Sequence, residues 1–166
     1  MITEPKIEYR SEQHYAAIRV QVPIPFGSLL PPLNREVGAW LANKGMKPSG
    51  APIIRYLTTD MTRKLDIEVG WLVAAAVPGD DRITAGVIPA GRYAVLTYTG
   101  PYKGKGLFKA TVDLLGWAEK NHITWKKTII DGVEWWDGRI EYYFTDPGEE
   151  PDSKKWQTEL AFLIAD

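Results

Sequence analysis

Residues 15–23 read YAAIRVQVP, and residues 93–101 read YAVLTYTGP. Both stretches begin with Tyr-Ala and end in proline. In the first, Ile18, Val20 and Val22 alternate with polar residues, which is the pattern of a β-strand whose successive side chains point to opposite faces. The second stretch is therefore predicted to be the same strand in a second copy of one structural unit.

Three further segments repeat in the same order. AWLANKG (39–45) matches GWAEKNH (116–122), IIRYLTTD (53–60) matches RIEYYFTD (139–146), and IEVGWLV (67–73) matches TELAFLI (158–164). This order predicts a β-α-β-β unit used twice, with halves at about 1–79 and 80–166. Each half offers only one helix to cover its strands, so we expect a single α+β domain over residues 1–166.

The composition excludes several classes of protein. The chain of 166 residues carries 20 basic and 21 acidic residues, a net charge of -1, which argues against direct binding of nucleic acid. It has no cysteine, no run of about 18 apolar residues and no apolar signal-peptide core at its N-terminus. We therefore expect a cytoplasmic protein without disulfides and without a membrane partner.

Metal and phosphate chemistry have little support in the sequence. His14 and His122 are the two histidines, and two isolated histidines do not form a zinc site. The G-x-G of GPYKGKGLFK (100–109) precedes a predicted helix but lacks the spacing of a P-loop. We expect no metal and no cofactor.

Glu141 is a carboxylate inside the aromatic strand RIEYYFTDP (139–147). Strand alternation places Glu141 and Tyr143 on one face, away from Ile140 and Tyr142. A buried carboxylate is costly unless it is paired, hydrogen-bonded or protonated. Glu141 therefore either faces water, pairs with an arginine such as Arg139 or Arg55, or belongs to a binding site.

The repeat bears on this choice. In the matched segments Glu141 aligns with Arg55, so the carboxylate is not a requirement of the unit, whereas Glu68 aligns with Glu159. Tyr56 aligns with Tyr142 in the same way. Glu68 and Glu159 either form a second pair of carboxylates around the pseudo-twofold axis of the two halves or occupy ordinary polar positions on half-exposed strands.

The second half resembles a known family. VIPAGRYAVLTYTGPYKGKGLFKATVDLLGWAEKNH (87–122), IEYYFTDP (140–147) and the terminal TELAFLIAD (158–166) resemble the GyrI-like small-molecule-binding domain, which is also the effector-binding domain of AraC- and MerR-type multidrug regulators. The resemblance implies an antiparallel sheet, pseudo-twofold symmetry and an aromatic cleft between the halves. It also implies that Glu141 binds cationic, lipophilic ligands. The glutamate on the last strand of the family corresponds to Glu159.

The resemblance leaves three functions open. The first strand is expected within about fifteen residues of Met1, which favours a stand-alone member that binds hydrophobic, cationic or polycyclic molecules. Some stand-alone relatives are hydrolases that open cyclopropane rings in DNA-alkylating natural products, and Glu141 would then be catalytic. Others modulate DNA gyrase, a role for which the acidic stretch DPGEEPD (146–152) is the visible support.

Aromatic residues supply the remaining ligand-binding candidates. Seven tryptophans and eight tyrosines exceed what a core of this size normally needs, and such rings suit a cavity for flat organic molecules. The candidates for stacking walls are Tyr143, Trp136, Trp135, Tyr98 and Tyr56. Each alternative is a structural role, in which Trp135 and Trp136 cover the core beneath a loop and the tyrosines pack within it.

Overall fold

The computed structural model of the protein describes residues 1–60 and 64–166. The strands and helices of these residues are β1 Lys6–Arg10, β2 Gln13–Val22, α1 Leu30–Asn43, β3 Pro52–Tyr56, β4 Leu65–Val73, β5 Thr84–Ile88, β6 Gly91–Thr99, α2 Gly106–Lys120, β7 Lys127–Ile130, β8 Val133–Trp136, β9 Arg139–Tyr143 and β10 Gln157–Leu163. β7 and β8 form a separate hairpin, and the other strands form one curled sheet.

The large sheet has the order β1-β6-β10-β9-β3-β4-β2-β5, and its neighbouring strands are antiparallel. Under the repeat, β2 corresponds to β6, β3 to β9 and β4 to β10. When each strand is replaced by its counterpart, the order reads the same from both ends. The duplicated α+β fold with pseudo-twofold symmetry is therefore confirmed, and its axis passes between β3 and β9.

The two edge strands are not predicted by the sequence. β1 comes just before β2 in the chain but pairs with β6 in the other half, and β5 comes just before β6 but pairs with β2. Each half therefore completes the sheet of the other. Both strands have only five residues. In β1, Ile7 and Tyr9 alternate with charged residues but are exposed, and β5 shows no clear alternation, so neither strand has the buried face that marks a core strand.

Both helices lie on one face of the sheet. α1 accommodates Pro31 and Pro32 in its first turn, where their missing amide donors cost little, and it buries Val37 and Leu41 against β2 and β4. α2 buries its apolar side chains against β6 and β10. β3 and β9 lie between these two covered regions. Within the described ranges no helix has the length and apolarity needed to cross a membrane.

The strand ladders correct the alignment of the halves in one segment. Arg139 lies opposite Phe162 in the ladder between β9 and β10. The counterpart of Phe162 in β4 is Trp71, and Pro52 lies opposite Trp71. Arg139 therefore corresponds to Pro52, and the sequence match that pairs Glu141 with Arg55 is wrong by one residue. Such a slip moves a side chain to the other face, and Arg55 indeed lies on the face away from Glu141.

The corrected counterpart of Glu141 is Ile54, and that of Tyr143 is Tyr56. Ile54 and Glu141 also lie directly opposite each other in the β3–β9 ladder. A cross-strand pair made of two counterparts must lie on the axis that relates the halves. Glu141 therefore stands on the pseudo-twofold axis, on the face that carries both helices.

Candidate functional site

Glu141 accepts hydrogen bonds from one tyrosine of each half. The hydroxyl of Tyr56 donates to Glu141 Oε1 at 3.0 Å, and that of Tyr143 donates to the same oxygen at 2.5 Å. Because Tyr56 and Tyr143 are counterparts, the symmetry of the fold supplies two equivalent donors to a single carboxylate. Within residues 1–60 and 64–166, no side chain donates to the second oxygen, Oε2.

Burial dominates the electrostatics of this group. The side chain of Glu141 is 6% exposed, and this burial raises the pKa of its carboxyl group, against the opposing effects of the two hydroxyl donors and the charge of Arg139. Burial beside the carboxylate also raises the pKa of Tyr56 and Tyr143 well above the ordinary value. In the described part of the chain Glu141 forms no ion pair with Arg139 or Arg55.

Aromatic rings flank this tyrosine–carboxylate group on both sides. Phe26 meets Tyr56 edge to face, with 6.3 Å between ring centres. Tyr102 meets Tyr143 in the same way at 5.2 Å, and Trp156 lies 4.8 Å from Tyr102. The site therefore has two groups of rings, one on each side of a single carboxylate.

Three of these rings, Phe26, Tyr102 and Trp156, were not identified from the sequence. Hydrogen bonds to backbone carbonyls hold two of them: the Tyr102 hydroxyl donates to the carbonyl of Thr145 at 2.6 Å, and Trp156 Nε1 donates to that of Glu150 at 2.7 Å. Tyr102 belongs to the GPY turn that carries the family resemblance, which was the available signal. Trp156 comes to the site through a loop whose course no periodic pattern predicts.

An apolar groove lies between β2 and α1. Its volume is about 270 Å³, and it is lined by Val20, Gln21, Val22, Leu29, Pro32 and Leu33. Val20, Val22 and Leu33 belong to the same apolar cluster as Tyr56 and Tyr143. The groove therefore borders the apolar cluster against which Tyr56 and Tyr143 pack.

The two predicted tryptophans, Trp135 and Trp136, occupy different environments. Trp136 is buried against Phe162, and its Nε1 donates to Thr59 Oγ1 at 2.9 Å. The ring of Trp135 lies 6.0 Å from the guanidinium of Arg19, on the helix-free side of the sheet. Trp136 thus reaches the neighbourhood of Glu141 only through the side chain of Arg139, and Trp135 does not reach it.

Tyr98 and Glu159 also lie apart from Glu141. Tyr98 is buried beneath the start of α2, and its hydroxyl donates to the carbonyl of Pro101 at 3.1 Å. Glu159 points to the helix-free face, where it lies 2.6 Å from Arg10 Nη1. Its counterpart Glu68 is on the same face. Of the predicted site residues, the structure therefore brings Tyr56, Glu141 and Tyr143 together.

The comparisons with known proteins bear on the family and the fold. The GyrI-like small molecule binding domain matches residues 3–165. No curated protein sequence matches the chain. The C-terminal domain of EcmrR superimposes with a TM-score of 0.70 at 21% identity, covering 98% of each chain. In its complex with DNA, EcmrR has a TM-score of 0.75 at 23% identity, and the match spans 57% of that longer chain.

Two further solved structures share the fold at lower identity. SAV2435 bound to tetraphenylphosphonium has a TM-score of 0.60 at 12% identity, with 98% of this chain and 94% of that one covered. A hydrolase from Listeria innocua has a TM-score of 0.61 at 11% identity, with 98% and 92% covered. Because the family match extends over almost the whole sequence, the chain belongs to the GyrI-like small-molecule-binding domain family.

Proposed function

We propose that the protein binds hydrophobic organic molecules that are cationic or polycyclic and aromatic, with Glu141 as the anchor. The observation that carries this proposal is a buried carboxylate on the symmetry axis that has hydroxyl donors but no ion pair among the described residues, where Arg139 acts on it only at longer range. Burying a charge without a counterion is unfavourable. A ligand cation next to Oε2 would supply that counterion.

The surrounding rings support the same class of ligand. Tyr143, Tyr102 and Trp156 offer adjacent ring surfaces, and a cation over such rings gains about 0.5–2 kcal/mol. The apolar groove beside α1 would take the uncharged part of the ligand. SAV2435, which shares the fold, binds the lipophilic cation tetraphenylphosphonium.

The proposal treats the two halves, about 1–79 and 80–166, as one binding unit that works in the cytoplasm. Its partner is a small molecule, and no direct contact with nucleic acid is needed. The near-zero net charge of the chain agrees with that assignment.

Calorimetric titration with tetraphenylphosphonium tests this proposal. Glu141→Gln keeps the shape of the side chain and removes its charge, and we expect it to weaken binding at least about thirtyfold, as for a buried charge pair that loses one partner. Glu159→Gln is the matched control, because it removes a carboxylate from the opposite face and should leave the affinity unchanged. Equal affinities of the wild type and Glu141→Gln would refute the role of Glu141.

A second candidate, hydrolysis of a strained cyclopropane ring, is favoured by the 2.5 Å contact between Tyr143 and Glu141. A carboxylate with a raised pKa is suited to accept a proton from water as the water oxygen attacks the ring carbon. The breaking carbon–carbon bond would pass its electron pair to the conjugated carbonyl, which then takes up a proton.

Incubation with a cyclopropane-bearing alkylator separates binding from hydrolysis. Mass spectrometry detects the addition of one water molecule, and quenching of tryptophan fluorescence reports occupancy. Catalytic formation of hydrated product by the wild type and its loss in Glu141→Gln would establish the hydrolase. Quenching without product would leave a binding protein.

A further inference from the structure

Arg139 lies two residues before Glu141 on β9, so both side chains point to the helix-bearing face. Its guanidinium carbon lies 4.6 Å from the ring centre of Phe162, 4.7 Å from that of Trp136 and 5.7 Å from that of Tyr56. Three rings around one cation are the arrangement that proteins use to recognise cationic ligands. Here a side chain of the protein itself occupies it.

No carboxylate of the described residues forms an ion pair with Arg139. Its Nε atom is buried without a hydrogen-bond partner in those same ranges. On the neighbouring strand, Glu134 is paired with Lys127 at 3.0 Å. Burial lowers the pKa of Arg139, and the charge of Glu141 is among the effects that oppose this. Arg139 and any bound cation therefore depend on the same negative charge.

Arg139 also breaks the symmetry of the site. Its counterpart in the other half is Pro52, which carries no charge, so the axis has a fixed positive charge on one side only. Arg139 already offsets the charge of ionised Glu141 at longer range, so Arg139 repels each positive charge that a ligand adds. A ligand with two positive charges meets this repulsion twice, in a site of low dielectric constant where repulsion is strong.

We propose that Arg139 is a specificity-determining residue that limits the ligand charge, so that the site accepts a monocation with charge spread over aromatic rings and rejects a dication of the same ring system. This inference rests on the proposed function. It goes beyond the proposed function because it gives a role in ligand selection to Arg139, whereas the proposed function assigns the anchoring role to Glu141.

Ethidium and propidium provide the test, because they share the phenanthridinium ring system and propidium carries an additional quaternary ammonium group. Binding of each dye is measured by fluorescence anisotropy at fixed salt for the wild type, Arg139→Met and Arg139→Lys. We expect the wild type to prefer ethidium. Arg139→Met should reduce the ratio of the two dissociation constants about tenfold, the effect of one charge at roughly 10 Å in a partly buried site, whereas Arg139→Lys should keep the ratio.

The ratio separates selectivity from folding, because a general loss of packing weakens both dyes alike. Arg139→Gln is the second neutral variant, and it should give the same reduction as Arg139→Met if the charge is responsible. An unchanged ratio in the neutral variants, or a wild type without preference for ethidium, overturns the role of Arg139. The proposed function is judged separately, by loss of ethidium binding in Glu141→Gln, and wild-type protein that binds neither dye contradicts both.

Discussion

The two faces of the sheet differ in the partners of their buried and half-buried carboxylates. On the helix-free face, Glu159 lies 2.6 Å from Arg10, and Asp66 accepts two hydrogen bonds from Arg19. On the helix-bearing face, Glu141 accepts hydrogen bonds only from tyrosine hydroxyls among the described residues. The helix-free face therefore neutralises its charges internally, and the other face keeps one carboxylate available.

Glu68 makes the contrast sharper, because it too accepts a hydrogen bond from a tyrosine. The Tyr15 hydroxyl donates to Glu68 Oε1 at 2.6 Å, but it also accepts a hydrogen bond from Arg55 Nη1 at 2.8 Å. The hydroxyl that donates to Glu68 is thus itself hydrogen-bonded to the guanidinium of Arg55. Tyr56 and Tyr143 have no such arginine donor within residues 1–60 and 64–166, so their hydroxyls solvate Glu141 without neutralising it.

The largest expected change in stability is a loss on the helix-free face. Glu159→Gln removes one of the two carboxylates that pair with the partly buried guanidinium of Arg10, and Glu8 remains as the other, so we expect the free energy of unfolding to fall by about 1 kcal/mol. Urea denaturation at pH 7.5 measures this value. An equal loss in Glu141→Gln would remove the distinction between the two faces.

A smaller change of opposite sign is expected on the helix-bearing face. Because burial raises the pKa of Glu141 above its ordinary value of 4.5, the wild type is destabilised as the pH rises through that raised pKa. Glutamine does not titrate, so Glu141→Gln should melt at a higher temperature than the wild type at pH 8. The difference should shrink toward pH 4. Thermal melts of ligand-free protein across this range test the sign, and a difference that grows on acidification would contradict it.

The smallest expected effect concerns the two hydroxyl donors. Tyr143→Phe removes the shorter hydrogen bond to ionised Glu141, and we expect the affinity for tetraphenylphosphonium at pH 7 to fall about fivefold, with a smaller loss for Tyr56→Phe. Tyr142→Phe is the matched control, because the Tyr142 hydroxyl donates to Gln13 on the other face. A loss of affinity in Tyr142→Phe as large as that in Tyr143→Phe would show that the effect is not specific to the site.

Much of the fold could be predicted because the sequence contains the same structural unit twice. The matched segments predict both helices and the pairs β2/β6, β3/β9 and β4/β10, and strand alternation correctly places Glu141 with Tyr143. β1 and β5 were not predicted. The alternation of Ile7 and Tyr9 with charged residues in β1 is a signal of only five residues, and neither edge strand shows in its own residues which strand it pairs with. The alignment of Glu141 with Arg55 failed because shared letters at the segment ends are weaker constraints than hydrogen-bonded ladders.

The site was only partly predictable for a related reason. Glu141 stands out because a carboxylate in an aromatic strand breaks the local pattern, but Tyr102 and Trp156 reach the site from loops, whose path depends on the finished fold. Trp135 and Trp136 are adjacent in sequence and were predicted together. Strand β8 sends their side chains to different surroundings.

The position of Glu141 on the axis is possible in a single chain that contains both halves but not in a homodimer of one half. In a homodimer, the two residues that face each other across the twofold axis are identical. At the position of Ile54 and Glu141, a homodimer would therefore carry either two isoleucines or two glutamates. Two neighbouring carboxylates cannot both remain ionised easily, because each raises the pKa of the other. Joining the halves in one polypeptide allows Ile54 to face Glu141. Duplication within one gene thus permits a single negative charge at the centre of a symmetric scaffold.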